Sequence, residues 1–305
     1  MLKRLFNLAS LGVLFTFGAC NQEEAQKPVY LIIDAIHLET DYNEEGSAHQ
    51  DITTVYVFAN DEPVGAYDLP AIVPVILNEG NNRLLLYAGI NTNGIQSFRS
   101  INDAFTPLFI DVVNPNTLGT LDTIVLTDEQ LTVNYRDNFN LVLVEDFDDP
   151  GLNFESTIFS DTGIFKTNNP DSIFNFTPYG TSVPEPNSNS GLIILDGNNT
   201  FVELSSVVAY NLTPGAQNIY LEVSYKTNVN VGFGMIADYP GSGDAQDVTT
   251  VVFPQEDWNK IYINLITEFQ AFPGANGYKV LITARKPAGI AEARIYLDNI
   301  KLIYE

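Results

Sequence analysis

The chain has 305 residues, of which 45% are hydrophobic and 17% charged, and its formal net charge at pH 7 is −24. This apolar content excludes a disordered chain, and the acidic charge repels phosphate backbones, so nucleic acid is excluded as a partner. A single Cys excludes an internal disulfide. With two histidines, His37 and His49, most multi-histidine metal sites and histidine-based triads are excluded as well.

Residues 1–19 are predicted to be an export signal. Two cations precede an apolar run from Leu5 to Phe17, which is shorter than the roughly 20 residues that span a bilayer. The run ends in Phe-Gly-Ala followed by Cys20, which resembles the lipobox of bacterial lipoproteins. The resemblance implies that residues 1–19 are removed and that Cys20 becomes the lipidated first residue. The alternative is an ordinary secretory signal with a chance Cys.

A short acidic tether, residues 20–27, follows the signal. After Cys20 the chain continues Asn-Gln-Glu-Glu-Ala-Gln, which is similar to the acidic export signal that sends Bacteroidota lipoproteins to the outer face of the outer membrane. The resemblance implies a protein anchored in the outer membrane and facing the cell exterior. Because the chain is acidic, its acyl chains must provide the contact with the lipid bilayer. A periplasmic protein behind a solvated linker is the alternative.

Residues 28–138 are predicted to form a first β-sandwich. Apolar residues alternate over short runs bounded by Gly, Pro, Asn and Asp, which is typical of strands and turns. Seven short strands in this span indicate an Ig-like sandwich. The segment from Val55 to Pro70 also resembles a hairpin of PEGA-type and carboxypeptidase-regulatory-like modules. The expected strands are 28–33, 53–60, 64–69, 83–90, 108–113, 123–126 and 131–135.

Residues 139–305 are predicted to form a second β-sandwich after a polar break at Arg136–Asn138. A loop over residues 166–190, rich in Asn, Pro, Ser and Thr, is of the kind that carries function or disorder. The expected strands are 141–147, 191–195, 201–204, 219–226, 231–237, 249–253, 260–265, 278–284 and 294–304. The fold class is therefore all-β, with two sandwich domains after the signal peptide.

The two ends of the second domain resemble those of a jelly-roll module of the carbohydrate-binding, galactose-binding-like type. A first strand ends in Val144–Asp148, the final strand contains Ile295–Leu302, and Trp258 begins a W-x-x-hydrophobic strand between them. The resemblance implies that the first and last strands lie close together. A generic sandwich is the alternative.

The same resemblance implies a structural Ca²⁺ between the first and last strands, with Asp146, Asp148 and Asp298 as ligands. Period-two alternation along a strand places Asp146 and Asp148 on one face, about 7 Å apart. Calcium takes six to eight oxygen ligands, which carboxylates and backbone carbonyls supply. A plain solvated acidic edge is the alternative.

Two tyrosines on turn-rich segments, Tyr179 and Tyr239, are the candidate ligand-binding residues. Sugar recognition uses aromatic faces against the apolar side of a pyranose ring, while polar side chains bind its hydroxyl groups. His37, in or just after a strand, is expected to be structural. His49 lies in a polar loop and is expected to be exposed.

No catalytic residues are predicted, because the chain lacks the Gly-x-Ser-x-Gly elbow, a phosphate loop and a His-Glu-x-x-His pattern. The preferred function is non-catalytic recognition by the second domain, with a glycan as the ligand that the fold resemblance implies. The main alternative is a structural lipoprotein that docks protein partners of an envelope complex. A carboxylate-dependent hydrolase is a minor alternative, and it requires two carboxylates facing each other across a cleft.

Overall fold

The computed structural model describes residues 27–114, 123–212, 214–239, 241 and 243–305. The predicted signal peptide and Cys20 lie outside these residues, as does all of the tether except Lys27. Among the described residues, no helix is long and apolar enough to cross a membrane.

The chain is an all-β protein, as predicted. The N-terminal unit contains β1 (Val29–Ile33), β2 (His37–Leu38), α1 (Tyr42–Glu45), β3 (Ile52–Ala59), β4 (Glu62–Asp68), β5 (Ala71–Val75), β6 (Gly80–Asn91), β7 (Arg99–Ile101), β8 (Leu108–Asn114), β9 (Thr123–Val125), a 3-10 turn (Glu129–Leu131) and β10 (Thr132–Val133). The C-terminal unit contains β11 (Asn140–Glu145), β12 (Phe154–Ser156), β13 (Phe165–Thr167), β14 (Ser190–Leu195), β15 (Phe201–Ser206), β16 (Ile219–Thr227), β17 (Val231–Asp238), β18 (Ala245–Val252), β19 (Gln255–Asn264), α2 (Ile266–Ala271), β20 (Gly277–Arg285) and β21 (Ala293–Tyr304).

The N-terminal unit packs a five-stranded sheet against a three-stranded one. The five-stranded sheet has the order β4-β3-β6-β7, and β8 pairs with the first half of the long strand β6, whose last residues pair with β7. The three-stranded sheet has the order β5-β1-β9. Alternate residues of β3 and β6, such as Val55, Val57, Leu84 and Leu86, are fully buried between them. The β5 strand, which the sequence analysis did not predict, contains Pro74 and pairs antiparallel with β1.

The C-terminal unit packs two antiparallel sheets face to face. A six-stranded sheet has the order β13-β14-β21-β16-β19, and β11 pairs with the second half of β21. A five-stranded sheet has the order β12-β15-β20-β17-β18. The antiparallel pairing of β11 with β21 confirms that the first and last strands of this unit lie together.

The outer face of the six-stranded sheet is covered by the N-terminal unit. Along β16, Leu221 and Val223 point into the sandwich core, and yet the alternate residues Glu222 and Ser224 are also fully buried. Tyr262 of β19 and Ile303 of β21 belong to the core of the N-terminal unit. Because both faces of the sheet are buried at β16 and β21, these two strands are nearly continuous runs of buried residues instead of alternating ones.

A network of charged and polar groups lies inside this junction. The Lys260 ammonium lies 2.9 Å from Oε2 of Glu222, and both side chains are fully buried. The Tyr135 hydroxyl donates to the same carboxylate oxygen at 3.0 Å. The Lys301 ammonium donates to the Ser47 carbonyl at 2.7 Å. The network therefore links β16, β19 and β21 to the N-terminal unit.

The loop that joins β13 to β14 packs over the edge of the junction. Its Phe174 ring meets Trp258 edge-on at 5.2 Å and lies 5.0 Å from the His49 ring. The expectation that His49 is exposed is wrong, because its Nδ1 lies 2.9 Å from the Ser224 hydroxyl and burial lowers the pKa of its imidazole to about 3. The loop is thus part of the packed structure.

Replacing Lys260 with Met is expected to lower the free energy of unfolding by about 3–5 kcal/mol, because it leaves the Glu222 carboxylate buried without its partner. Urea unfolding of the two proteins measures the difference. The matched control is Lys279→Met, which removes a partly exposed lysine 3.4 Å from Glu155 and should change stability by less than about 1 kcal/mol. Equal effects of the two substitutions would contradict a buried ion pair.

Stability is expected to rise with pH between about pH 7 and pH 9.5. Burial, followed by the nearby Lys260 charge, lowers the pKa of Lys301 to about 7 from 10.5. The unfolded chain therefore binds more protons than the folded one across this window, which gives a slope of up to about 1.4 kcal/mol per pH unit. Urea unfolding at several pH values should show the rise in the natural chain and in Lys279→Met. A rise that persists in Lys301→Met would contradict this assignment.

Candidate functional site

The two tyrosines predicted to bind a ligand lie in different surroundings. Tyr179 is 56% exposed, its ring stacks on His37 at 3.5 Å, and its hydroxyl donates to Asp128 at 3.1 Å. Tyr239 is half-buried against the core of the C-terminal unit, and its hydroxyl donates to the Pro273 carbonyl at 3.2 Å. Tyr179 therefore belongs to the junction between the units, whereas Tyr239 closes over its own end of the sandwich.

The acidic residues predicted to hold calcium lie beyond the end of β11. This strand ends at Glu145 and Phe147 has a φ of 65°, so strand alternation does not apply to Asp146 and Asp148. Oδ1 of Asp146 accepts a hydrogen bond from the Asp148 N–H at 3.1 Å. Oδ1 of Asp148 in turn accepts the N–H groups of residues 188 and 189.

Asp298 is fully buried on β21 and is surrounded by donors. Its Oδ2 accepts hydrogen bonds from Ser190 Oγ and from Asn187 Nδ2, the latter at 3.0 Å, and its Oδ1 accepts the Asn299 N–H at 2.8 Å. Burial raises the pKa of the Asp298 carboxyl well above its usual range, and the neighbouring Asp148 charge adds to that effect.

This donor set differs from a calcium site. Calcium takes six to eight oxygen ligands, whereas the oxygens of Asp298 face N–H and O–H donors. Within the described ranges, no three Asp, Glu, His or Cys side chains are grouped as a metal site requires. The calcium site at Asp146, Asp148 and Asp298 stays a prediction, and the geometry on its own describes a hydrogen-bonded network.

A groove of about 610 Å³ lies on the outer face of the five-stranded sheet. Phe201 on β15 pairs across strands with Arg285 on β20, and the guanidinium carbon lies 4.5 Å from the centre of the aromatic ring. The stack holds the Arg285 side chain at the groove. None of the described carboxylates lies within 4 Å of this guanidinium, which leaves its N–H donors available.

Gly232 forms part of the floor of the groove where β17 crosses it, and Gly234 follows two residues later without lining the groove. Gly232 and Gly234 alternate with the core residue Phe233, so both lie on the outer face. A Cβ at Gly234 would lie 2.0 Å from the Asp247 carbonyl oxygen, and a Cβ at Gly232 would lie 2.9 Å from the side chain of Thr283. The absence of a side chain at Gly232 adds to the depth of the groove.

Both polar and apolar side chains line the groove. Beside it, Glu203 is buried, and its two carboxylate oxygens accept hydrogen bonds from Thr157 at 2.8 Å and from Gln246 at 3.1 Å. The remaining lining residues are Asn228, Val229, Asn230, Val248, Val251, Pro254, Thr283, Ala284, Pro287 and Ile290.

The residues that line the groove provide binding chemistry. They offer one guanidinium, two asparagine amides, a hydroxyl and a mainly apolar surface. Hydrolysis of a glycosidic bond generally uses a pair of carboxyl groups across a cleft, and the lining residues include no carboxylate. The groove is therefore suited to binding a polar ligand.

The groove is not among the sites predicted from the sequence, because the candidate aromatic residues, Tyr179 and Tyr239, are those on turns. Phe201 and Arg285 lie on strands, and their contact depends on the pairing of β15 with β20. One signal was present in the sequence. Two glycines at alternate positions of the predicted strand 231–237 indicate a face without side chains, where a ligand or another backbone approaches closely.

No protein-family model and no curated protein matches the chain. Among solved structures, it is similar to a family 11 carbohydrate-binding module from Clostridium thermocellum in complex with a β-1,3-1,4-mixed-linked tetrasaccharide, with 15% identity, a TM-score of 0.33 and coverage of 54% of this chain and 94% of that one. It is also similar to a family 61 module in complex with β-1,4-galactotriose, with 13% identity, a TM-score of 0.31 and coverage of 52% and 91%. At such scores, the ligands of those modules do not transfer to this chain.

Replacing Gly234 with Ala is expected to lower the free energy of unfolding by about 1–3 kcal/mol, because the new methyl group must displace the backbone of β18. Urea unfolding measures the loss. The control is Gly197→Ala, where no heavy atom lies within 4 Å of the added Cβ and a change within about 0.5 kcal/mol is expected. Equal stability of the two variants would show that β17 and β18 lie further apart than described.

Proposed function

We propose that the chain is a non-catalytic glycan-binding protein and that the groove on the five-stranded sheet is its binding site. The observation that carries the proposal is the Phe201–Arg285 stack at a glycine-floored groove that is lined by Asn228 and Asn230. An apolar surface with a few placed polar groups is the general character of a small-molecule site.

Each part of the groove matches a part of a sugar ring. The apolar C–H face of a pyranose packs against exposed hydrophobic surface, which Val248 and Val251 provide on β18. The hydroxyl groups of a sugar accept hydrogen bonds from the Arg285 guanidinium. They also accept hydrogen bonds from the NH2 groups of the asparagine amides and donate hydrogen bonds to the amide oxygens. The glycine floor lets a ring approach the backbone closely.

The proposal includes an envelope location for this binding activity. A lipid on Cys20 would hold the chain to the outer membrane through the acidic tether at residues 20–27, with the protein facing the cell exterior. The support is the sequence pattern around Cys20 and the net charge of −24, which leaves membrane attachment to the acyl chains.

Binding of residues 21–305 to a broad glycan array tests the proposed function. Phe201→Ala and Arg285→Ala are each expected to weaken binding of a positive glycan by about tenfold, the size of a lost stacking or charge-assisted contact. The matched control is Phe109→Ala, because Phe109 lies in the N-terminal unit with the Arg83 guanidinium carbon 5.9 Å from its ring centre. Titration calorimetry with the positive glycan gives the affinities.

The other arms of the experiment separate the remaining alternatives. Loss of binding in Tyr179→Ala or Tyr239→Ala, with Phe201→Ala unaffected, would move the site to the predicted tyrosines. Loss of binding in a chelator would support the calcium site that Asp146, Asp148 and Asp298 are predicted to form. An array without any positive glycan would overturn the proposal and favour a protein-docking role in the envelope.

A further inference from the structure

A second cavity, of about 430 Å³, lies at the junction between the two units. Its walls come from β2 and its flanks, from the 3-10 turn that begins at Glu129, and from residues 178–181 and Glu185 of the loop between β13 and β14. Cavities between domains are common ligand sites. This junction cavity and the groove share no lining residue, so the inference does not depend on the proposed glycan site.

Aromatic rings form part of the junction cavity. His37 and Tyr179 stack with their planes within 9° of parallel, and the Tyr179 hydroxyl is held by Asp128. Tyr42, at the start of α1, lines the cavity as well and is half-buried. The His37 and Tyr179 rings cover one face of each other. A ring face that stays uncovered is negative at its centre and attracts cations, including quaternary ammonium groups.

The charge on the cavity walls has one sign. Four carboxylates line it, those of Glu39, Asp128, Glu129 and Glu185, and its lining residues include no lysine or arginine. Burial lowers the pKa of the His37 imidazole below its ordinary 6.5, so this ring does not supply a positive charge at pH 7.

One of these carboxylates is incompletely paired. Oε1 of Glu185 accepts the Ala48 N–H at 2.8 Å, whereas Oε2 is a buried atom without a hydrogen-bond partner. The Lys301 ammonium does not line the cavity and donates to the Ser47 carbonyl. Burial raises the pKa of the Glu185 carboxyl, and the Ser47 hydroxyl and the Lys301 and Lys260 charges act in the opposite direction. No described lysine or arginine lies within 4 Å of Glu185, so this carboxylate has room for a cation in direct contact.

We propose that the junction cavity binds an organic ammonium ion. The aromatic walls contact the apolar substituents of such a cation, and Glu185 and Asp128 balance its charge. A bare metal ion is less suited, because the described residues include no grouped set of three metal-ligating side chains. A phosphate next to the ammonium group is disfavoured by the four carboxylates, so the ligand is an amine and not a phospholipid headgroup.

Titration calorimetry with choline and with ethanolamine tests the proposal, using residues 21–305. The neutral isostere 3,3-dimethyl-1-butanol has the shape of choline without its charge and is expected to bind about tenfold or more weakly than choline. Binding of the cation should also weaken when NaCl is raised from about 0.05 to 0.5 M, because salt screens the carboxylates. Phosphocholine should bind more weakly than choline.

Two substitutions assign the binding to the junction cavity. Tyr179→Leu and Glu185→Gln are each expected to weaken binding of the better cation by about five- to tenfold. In Glu185→Gln the amide oxygen is expected to accept the Ala48 N–H as the carboxylate does, and urea unfolding of the variant checks that the fold is retained. The matched controls are Tyr239→Leu, at the tyrosine bonded to Pro273, and Glu62→Gln, on exposed strand β4, and neither should change binding.

Several results would overturn the proposal. Equal affinities for choline and its neutral isostere would show that charge is not recognised. A higher affinity for phosphocholine than for choline would indicate a lipid headgroup as the ligand. Unchanged affinity in both Tyr179→Leu and Glu185→Gln, or no binding of either amine, would remove the ammonium site from this cavity and leave the glycan proposal unaffected.

Discussion

The contact between the two units buries the ion pair between Lys260 and Glu222. The junction cavity depends on the same contact. The two side chains lie on the outer face of the six-stranded sheet, where an uncovered sheet would present them to water. The N-terminal unit excludes water there and supplies the Tyr135 hydroxyl as a further donor. Removing the cover would change the ion pair from a buried contact into a solvated one with little strength.

The two candidate sites lie on different sides of the C-terminal sandwich, the junction cavity beside the six-stranded sheet and the groove on the five-stranded sheet. The six-stranded sheet uses its outer face for the junction, whereas the groove lies on the outer face of the five-stranded sheet, on which residues such as Ile236 and Leu281 are buried. The groove lies beside the Phe201–Arg285 pair, where Gly232 on β17 has no side chain. The junction itself forms the second cavity, since the loop between β13 and β14 reaches back to β2. The junction cavity therefore depends on how the two units pack, whereas the groove is formed within the C-terminal unit.

Sequence periodicity predicted the strands well, and it predicted contacts between distant residues poorly. The alternation in β3, β6 and β17 gave these strands within a few residues, because a buried face forces a period of two. Short strands such as β12 and β13 contain too few residues to show a period. The burial of His49 and the position of Tyr179 over His37 depend on the docking of the units, which no local pattern encodes. The Ig-like topology and the boundary near residue 138 stay predictions.

The shared junction also means that the C-terminal sandwich is not a detachable module. Cutting the chain between the units would expose the tyrosine ring of Tyr262 and the apolar side chain of Ile303, which now lie in the core of the N-terminal unit. The fragment would present a flat sheet face with apolar surface and its charged pair in water, a face suited to association with other copies. A fusion protein that uses the groove therefore has to include the N-terminal unit, or the outer face of the six-stranded sheet has to be redesigned.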